Sequence, residues 1–179
     1  MDDIRIHDLV FTSFISKEEI ATQVAELGKK LSADYAEKNP VILGVLSGSF
    51  IFVADLARAM SIQANFAFTR LSSYAGTDST GEVNQMLGIS EDLSGRHVVV
   101  VEDIVDTGNT IVKLDEIIHA LKPASVEYCA LFLKPEAYKK SVKIKYVGFE
   151  IPNAFIVGYG LDYDGIGRNL PAVYQLKSE

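Results

Sequence analysis

Residues 98–110 constrain the fold more than any other stretch, and they read Val-Val-Val-Val-Glu-Asp-Ile-Val-Asp-Thr-Gly-Asn-Thr. Four consecutive β-branched residues predict a short strand that is buried on both faces, as in a parallel sheet. The apolar residues that follow recur at helical spacing: Ile111, Leu114, Ile117, Ile118 and Leu121. A strand, a tight turn and a helix in this order predict an α/β fold, in which ligands bind at the carboxyl ends of the strands.

The turn between this strand and helix has the composition of a phosphate site. Backbone N–H groups at a helix N-terminus have no partner in the helix, and the helix dipole favours an anion there. Gly108 allows the chain to approach the anion closely. The hydroxyl groups of Thr107 and Thr110 can donate to its oxygens.

Three acids accompany the turn. Glu102 and Asp103 directly follow the valines and would repel a phosphate, so ribose hydroxyls or a hydrated Mg²⁺ beside a pyrophosphate are their expected partners. Asp106 lies in the turn itself, where it could accept a proton. A solvated acidic turn explains one such acid, but three followed by Thr-Gly and a helix favour a binding site.

A second unit of the same kind occurs earlier in the chain. An apolar strand is predicted at 41–46, followed by Ser47-Gly48-Ser49 and a helix over about 50–60. A small-residue loop before a helix can hold a second anion. A Ser-Gly-Ser turn alone would be weak support for a site, so its value depends on the first turn.

The remaining elements complete an alternating α/β pattern. Ser-x-x-Glu at 16–19 predicts a capped helix to about residue 38. The polar segment 72–84 contains glycine and is too long for a hairpin turn, which is typical of a functional loop. Further strands are predicted at 62–71, 86–89, 126–133 and 145–150.

Composition excludes several classes of protein. The 179 residues suffice for one self-contained core, and no apolar run approaches the ~20 residues of a membrane-spanning helix. The first residues lack the apolar core of a secretory signal. Cys129 is the only cysteine and is expected to be a buried, inert thiol, which fits a cytoplasmic location. The net charge of −7 disfavours nucleic-acid binding.

The segment Glu-Asp-Ile-Val-Asp-Thr-Gly at 102–108 resembles the phosphoribosyl-pyrophosphate signature of type I phosphoribosyltransferases. Nearly the whole chain is similar to the hypoxanthine (6-oxopurine) branch of that family. The resemblance implies a mainly parallel sheet flanked by helices, as one domain over 1–179. A small C-terminal hood, formed by about 134–179 with the N-terminal segment, would hold the base.

The resemblance also implies a role for each loop. The ribose and 5′-phosphate would be bound by Glu102, Asp103, Asp106, Thr107, Gly108, Asn109 and Thr110. The pyrophosphate would be bound by Leu46, Ser47, Gly48 and Arg168, and the lid residues would be Ser73 and Tyr74. Many relatives carry a basic residue where this chain has Ser47 and Asn109. Backbone amides must carry the contact at Ser47, and the Asn109 amide could still donate to phosphate.

By the same resemblance, the purine would be bound by Lys134, Phe155, Ile156 and Asp162. Lys134 would donate to the purine O6, Phe155 would stack on the ring, and the Ile156 carbonyl would accept from the base edge. By its surroundings alone, Phe155 is more typical of a core residue. The implied ligands of Mg²⁺ are Glu102, Asp103 and Asp162.

The implied reaction is Mg²⁺-dependent transfer of 5-phosphoribose from phosphoribosyl pyrophosphate to N9 of hypoxanthine, with guanine as a second base. The products would be inosine or guanosine monophosphate and pyrophosphate, and Asp106 would act as the general base toward the purine N7 proton. The resemblance implies a homo-oligomer, either dimer or tetramer, with no nucleic-acid or membrane partner.

Three alternatives stay open from the sequence. A transferase for adenine, orotate or uracil would share the central turn but should lack the arrangement of Lys134 and residues 155–162. A regulator with the same fold would bind the sugar phosphate without turnover, and a plain pyrophosphate-binding module would need neither lid nor base pocket. The sequence does not rank hypoxanthine, guanine and xanthine.

Overall fold

The computed structural model describes residues 3–73 and 83–177. Within these ranges the chain forms three helices, α1 (Lys17–Asp34), α2 (Phe50–Ala59) and α3 (Asn109–Ala120). It also forms ten strands: β1 (Ile4–Ile6), β2 (Leu9–Ile15), β3 (Val41–Val45), β4 (Asn65–Ser73), β5 (Val83–Leu87), β6 (His97–Val105), β7 (Ser125–Leu133), β8 (Tyr146–Glu150), β9 (Ile156–Val157) and β10 (Val173–Leu176).

The large sheet has the strand order β5-β4-β3-β6-β7-β8. The five strands from β4 to β8 in this order run parallel, and β5 is antiparallel to β4. The predicted mainly parallel α/β sheet is therefore confirmed. Since the strands are parallel, the loops that follow β3, β6 and β7 emerge at one edge of the sheet.

Side chains of β6 alternate between two hydrophobic cores. Val99 and Val101 pack in the core that contains α1 and α2, while Val98 and Val100 pack in the core that contains α3. All four valines are fully buried, as predicted. Cys129 of β7 is also buried, and burial raises the pKa of its thiol to about 12.

The small sheet is antiparallel and has the order β1-β2-β10-β9. It joins the two ends of the chain around a separate cluster of Ile6, Phe11 and Val157. The range of about 134–179 expected for the hood is too wide, because it includes β8. That strand pairs with β7 in the large sheet.

Two local predictions need correction. Strand β6 does not end at Glu102 but continues to Val105, because its pairing with β7 persists to Val105 and Leu133. Leu121 lies beyond the end of α3 and is 41% exposed, so it is not part of the buried helix face.

The predicted capping box of α1 is present, with the Ser16 N–H donating to Glu19 Oε2 at 2.9 Å.

Among the described residues, 3–73 and 83–177, no helix has both the length and the apolar character needed to cross a bilayer.

Candidate active site

Two acids of β6 lie under the loop that follows β3. Glu102 is buried, and Asp103 beside it is partly buried. A Cβ atom on Gly48 would overlap the Asp103 carboxylate, so a larger residue here would displace that side chain. The 46–48 loop, whose Leu46–Ser47 peptide is cis, is thereby held against the acid pair.

The pKa values of both acids are raised. Burial raises the pKa of Glu102 well above its ordinary range, and the neighbouring charge of Asp103 raises it further. Burial also raises the pKa of Asp103, although the Ile104 N–H and the charge of Arg168 oppose this shift. A buried and a partly buried carboxylate whose pKa values are both raised form a favourable place for a cation.

The turn after β6 has the geometry of an anion site. Gly108 precedes α3 with φ of 81°, a left-handed conformation that glycine adopts without strain. The Val112 N–H donates to the Gly108 carbonyl at 3.1 Å, while the first N–H groups of α3 have no acceptor within the helix. Thr107 and Asn109 are exposed beside them.

Two residues that sequence reasoning missed cover this turn. A Cβ on Gly108 would overlap the ring of Tyr138 and would lie 3.0 Å from Cγ of Lys140. The Tyr138 hydroxyl donates to the Val142 carbonyl, which holds the ring in place. No local pattern could identify these residues, because they are about thirty positions from Gly108 and meet it only in the folded chain.

The ends of β6 and β7 bring a lysine and an acid together. Val105 and Leu133 are the last paired residues of these strands, so Asp106 and Lys134 follow at the same edge. Lys134 Nζ lies 2.7 Å from Asp106 Oδ2. Lys134 is only 7% exposed, so it does not extend into solvent as lysines at strand ends usually do.

A second ion pair joins two further candidate residues. Arg168 Nη2 lies 2.7 Å from Asp162 Oδ1, and Arg168 Nη1 donates to the Gly160 carbonyl at 2.7 Å. The Gly165 N–H donates to the other Asp162 oxygen at 2.8 Å. A Cβ on Gly160 would overlap the Gly48 carbonyl, so this segment lies directly against the 46–48 loop.

The candidate stacking residue is a surface aromatic. Phe155 is 43% exposed, which overturns the interpretation as core that its surroundings alone would favour. Its ring centroid lies 5.7 Å from Tyr163, edge to face, and 5.8 Å from Phe11. Ile156 is buried in β9, where it pairs with Gln175.

Ser73 and Tyr74 are the residues predicted to form a lid. The backbone of Ser73 ends β4, paired with Val83 of β5. Tyr74 lies outside the described residues.

The described carboxylates fit a magnesium ion that is shared with substrate. Within 3–73 and 83–177, no three His, Cys, Asp or Glu side chains are arranged to hold a metal by themselves. Mg²⁺ is usually held by one or two carboxylates together with substrate phosphates and water. Glu102 and Asp103 supply such a pair with little opposing positive charge, whereas Asp162 is engaged by Arg168.

Comparison with known proteins assigns the family. Residues 13–164 match the sequence model of the phosphoribosyl transferase domain. The chain belongs to the phosphoribosyl transferase domain family. A hypoxanthine-guanine phosphoribosyltransferase from Streptococcus pneumoniae is 42% identical over 166 residues, which cover 92% of each protein.

Solved phosphoribosyl transferases share the same fold. A Bacillus anthracis hypoxanthine-guanine phosphoribosyltransferase has a TM-score of 0.87 and 38% identity, covering 92% of this chain and 98% of that chain. A Trypanosoma cruzi hypoxanthine phosphoribosyl transferase, described for the role of its C-terminal region in oligomeric state and enzymatic activity, has a TM-score of 0.87. It is 36% identical and covers 97% of this chain and 95% of that chain.

Proposed function

We propose that this phosphoribosyl transferase moves 5-phosphoribose from phosphoribosyl pyrophosphate to N9 of hypoxanthine, with guanine as a second base. The observation that carries the proposal is the 2.7 Å contact between Lys134 and Asp106. A buried ammonium, which could donate to the oxygen of a 6-oxopurine, lies there beside Asp106 in the turn after β6. The relatives named hypoxanthine-guanine phosphoribosyltransferase support the same substrate class.

The sugar would be bound between the acid pair and the turn. Glu102 and Asp103 would accept from the ribose hydroxyls, directly or through metal-bound water. Backbone N–H groups of residues 106–110 and the Thr107 and Thr110 hydroxyls would donate to the 5′-phosphate. Fixing both ends of the sugar would orient its anomeric carbon toward the base, and such positioning accounts for much of the catalysis in a group transfer.

The purine would be bound between Lys134 and Phe155. The Lys134 ammonium would donate to the exocyclic O6, Phe155 would stack on the ring, and the Ile156 carbonyl would accept from its edge. If Lys134 turned to the purine oxygen, Asp106 would lose its partner. The freed Asp106 carboxylate would accept the N7 proton as N9 bonds to the anomeric carbon.

Pyrophosphate would leave against the 46–48 loop. Leu46, Ser47 and Gly48 would contribute backbone amides, and Arg168 would donate to the phosphate oxygens as a fork. The proposed lid of Ser73 and Tyr74 would close to keep water from the anomeric carbon. Mg²⁺, held by the proposed ligands Glu102, Asp103 and Asp162, would offset the charge of the pyrophosphate as the bond breaks.

An absorbance assay with phosphoribosyl pyrophosphate and Mg²⁺ tests this function, with hypoxanthine, guanine, xanthine and adenine supplied in parallel. We expect turnover of a 6-oxopurine and none of adenine. Turnover of adenine alone would contradict the proposed base preference. If phosphoribosyl pyrophosphate binds but none of the four bases reacts, the chain is a regulator or a transferase for a pyrimidine.

We further propose that the protein is a homo-oligomer, a dimer or a tetramer. Three phenylalanines near α2 and the adjoining face of β4 remain exposed by 36–45%: Phe50, Phe66 and Phe68. Phe66 and Phe68 lie two residues apart in β4 and so share one face of the sheet, and exposed apolar patches mark protein interfaces. Light scattering coupled to gel filtration should give two or four times the chain mass, and a monomer would refute the proposal. A cytoplasmic location and the absence of a nucleic-acid partner stay predictions from the sequence.

A further inference from the structure

The cover of the phosphate turn contains a lysine in an unusual position. Gly108 is buried although its neighbours Thr107 and Asn109 are exposed. The side chains of Tyr138 and Lys140 occupy the space into which a Cβ on Gly108 would project. A Cβ on Gly108 would lie 3.0 Å from Lys140 Cγ, so the side-chain stem is anchored over the turn. The Lys140 ammonium lies three bonds beyond Cγ, and the side chain is exposed.

The cations at the proposed site differ in whether they already have a carboxylate partner. Lys134 is paired with Asp106 and Arg168 is paired with Asp162, both at 2.7 Å. Lys140 forms no such pair within 4.0 Å in the described parts of the chain. Of these three side chains, Lys140 is therefore the one whose charge is free to meet an arriving anion.

The turn itself lacks a cation. The first turn of α3 contains Asn109, Thr110, Ile111 and Val112, and none of these side chains carries a positive charge. The 5′-phosphate of the proposed substrate carries close to two negative charges, and Asp106 at the edge of the turn adds a third. Backbone amides supply partial charges only, so a full positive charge within reach would strengthen binding.

We propose that Lys140 is a binding residue for the 5′-phosphate, supplied from the segment after β7 rather than from the turn. This inference rests on the proposed function, since it assigns one more residue to the same sugar-phosphate site. The Lys140 stem lies over Gly108, and the ammonium donates to a phosphate oxygen when the substrate binds. Lys140 thus supplies the charge that Asn109 lacks.

Methionine at this position separates charge from packing. Lys140→Met keeps an unbranched stem over Gly108 and removes the ammonium, while Lys140→Arg keeps the charge. Lys139→Met is the matched control, because the neighbouring Lys139 is also exposed but its ammonium donates to the Pro135 carbonyl at 3.1 Å. Thermal unfolding of each variant establishes that the fold is retained.

The test measures KM for phosphoribosyl pyrophosphate and the Kd of inosine monophosphate by calorimetry at two salt concentrations. We expect Lys140→Met to raise both constants about three- to tenfold, as loss of one charge-assisted contact at an exposed site would. KM for hypoxanthine, kcat and the Kd of pyrophosphate should change by less than about twofold. Salt should weaken inosine monophosphate binding less in Lys140→Met than in the wild type, because the variant lacks a positive charge whose attraction to phosphate salt would screen.

Lys140→Arg should restore binding, and Lys139→Met should resemble the wild type. Wild-type affinity for inosine monophosphate in Lys140→Met would overturn the inference, and so would an equal loss in Lys139→Met or no rescue by arginine. Failure of the proposed function is distinguishable, since the wild type would then turn over no 6-oxopurine. The Kd of phosphoribosyl pyrophosphate itself would still report whether Lys140 contacts its 5′-phosphate.

Discussion

Lys134 and Asp106 form a 2.7 Å ion pair in which the lysine side chain is 9% exposed and the aspartate side chain is 44% exposed. A buried ammonium without a partner is costly, so Lys134 needs either Asp106 or another acceptor. In the proposed reaction the purine oxygen is that acceptor. Binding of the purine to Lys134 would therefore free Asp106, the carboxylate that would accept the purine N7 proton.

Asp106→Asn should abolish the proposed general base without disturbing the fold. We expect kcat to fall about 10²–10⁴-fold, because an amide cannot accept the N7 proton. Steady-state rates with hypoxanthine measure the effect, and circular dichroism monitors folding. Asp92→Asn, at an exposed acid in the segment before β6, is the control and should be fully active. Full activity in Asp106→Asn would remove Asp106 from this role.

Lys134→Met should lower the catalytic efficiency with hypoxanthine and leave the binding of phosphoribosyl pyrophosphate nearly unchanged. Methionine fills a similar volume but cannot donate to the purine oxygen, so kcat/KM for hypoxanthine should fall about ten- to a hundredfold. The Kd of phosphoribosyl pyrophosphate should stay within about twofold. A loss confined to phosphoribosyl pyrophosphate binding would refute the assignment. Lys139→Met supplies the control for loss of a lysine charge.

Glu102→Gln should stabilise the substrate-free protein while impairing activity. Burial raises the pKa of Glu102, so the native state disfavours its charged form. The wild type therefore loses stability as pH rises above the range in which glutamate ionises in the unfolded chain. At pH 7 the variant should melt a few degrees higher, about 2–4 °C for each kcal/mol gained.

The difference in melting temperature between Glu102→Gln and the wild type should shrink as pH falls toward 4, because the wild-type carboxyl group is then protonated in both states. Adding Mg²⁺ with pyrophosphate should raise the melting temperature of the wild type more than that of the variant. A variant that melts lower than the wild type at pH 7 would show that Glu102 does not destabilise the native state.

Tyr159→Phe should loosen the attachment of the 158–170 segment to α2. Tyr159 is buried, and its hydroxyl donates to Asp55 Oδ2 at 2.7 Å in a partly buried hydrogen bond. Its removal should cost about 0.5–1.5 kcal/mol in the free energy of unfolding, measured by urea denaturation. Tyr163→Phe is the control, because its hydroxyl bonds to Asp8 at an exposed position and should contribute less. Equal losses in both variants would contradict a special role for Tyr159.

The parts of the site that could be predicted from sequence are those encoded by neighbours in the chain. Four valines predict a buried strand, and Thr-Gly before an apolar periodicity predicts the phosphate turn, because these signals act over a few residues. The Ser16–Glu19 capping box is of the same kind. The resemblance to a known family added the distant residues Lys134, Phe155 and Arg168, which local patterns could not connect.

What the sequence could not show depends on which strands are neighbours. The extension of β6 to Val105 follows from its ladder with β7, not from its own acidic residues, which would ordinarily end a strand. The pairing of Lys134 with Asp106 and the cover of Gly108 by Tyr138 and Lys140 likewise arise from the fold. Exposure of Phe155 follows from its place beside the small sheet, whose cluster is separate from both large cores.

The order of strands in the small sheet has a consequence for the ribosome. Strand β10 lies between β2 and β9, so β2 has β1 as its only neighbour until residues 173–176 have been made. The large sheet needs no strand beyond residue 150, so its pairing does not depend on β10. The small sheet beside Phe155 is therefore completed only once residues 173–176 have emerged from the ribosome, after every strand of the large sheet.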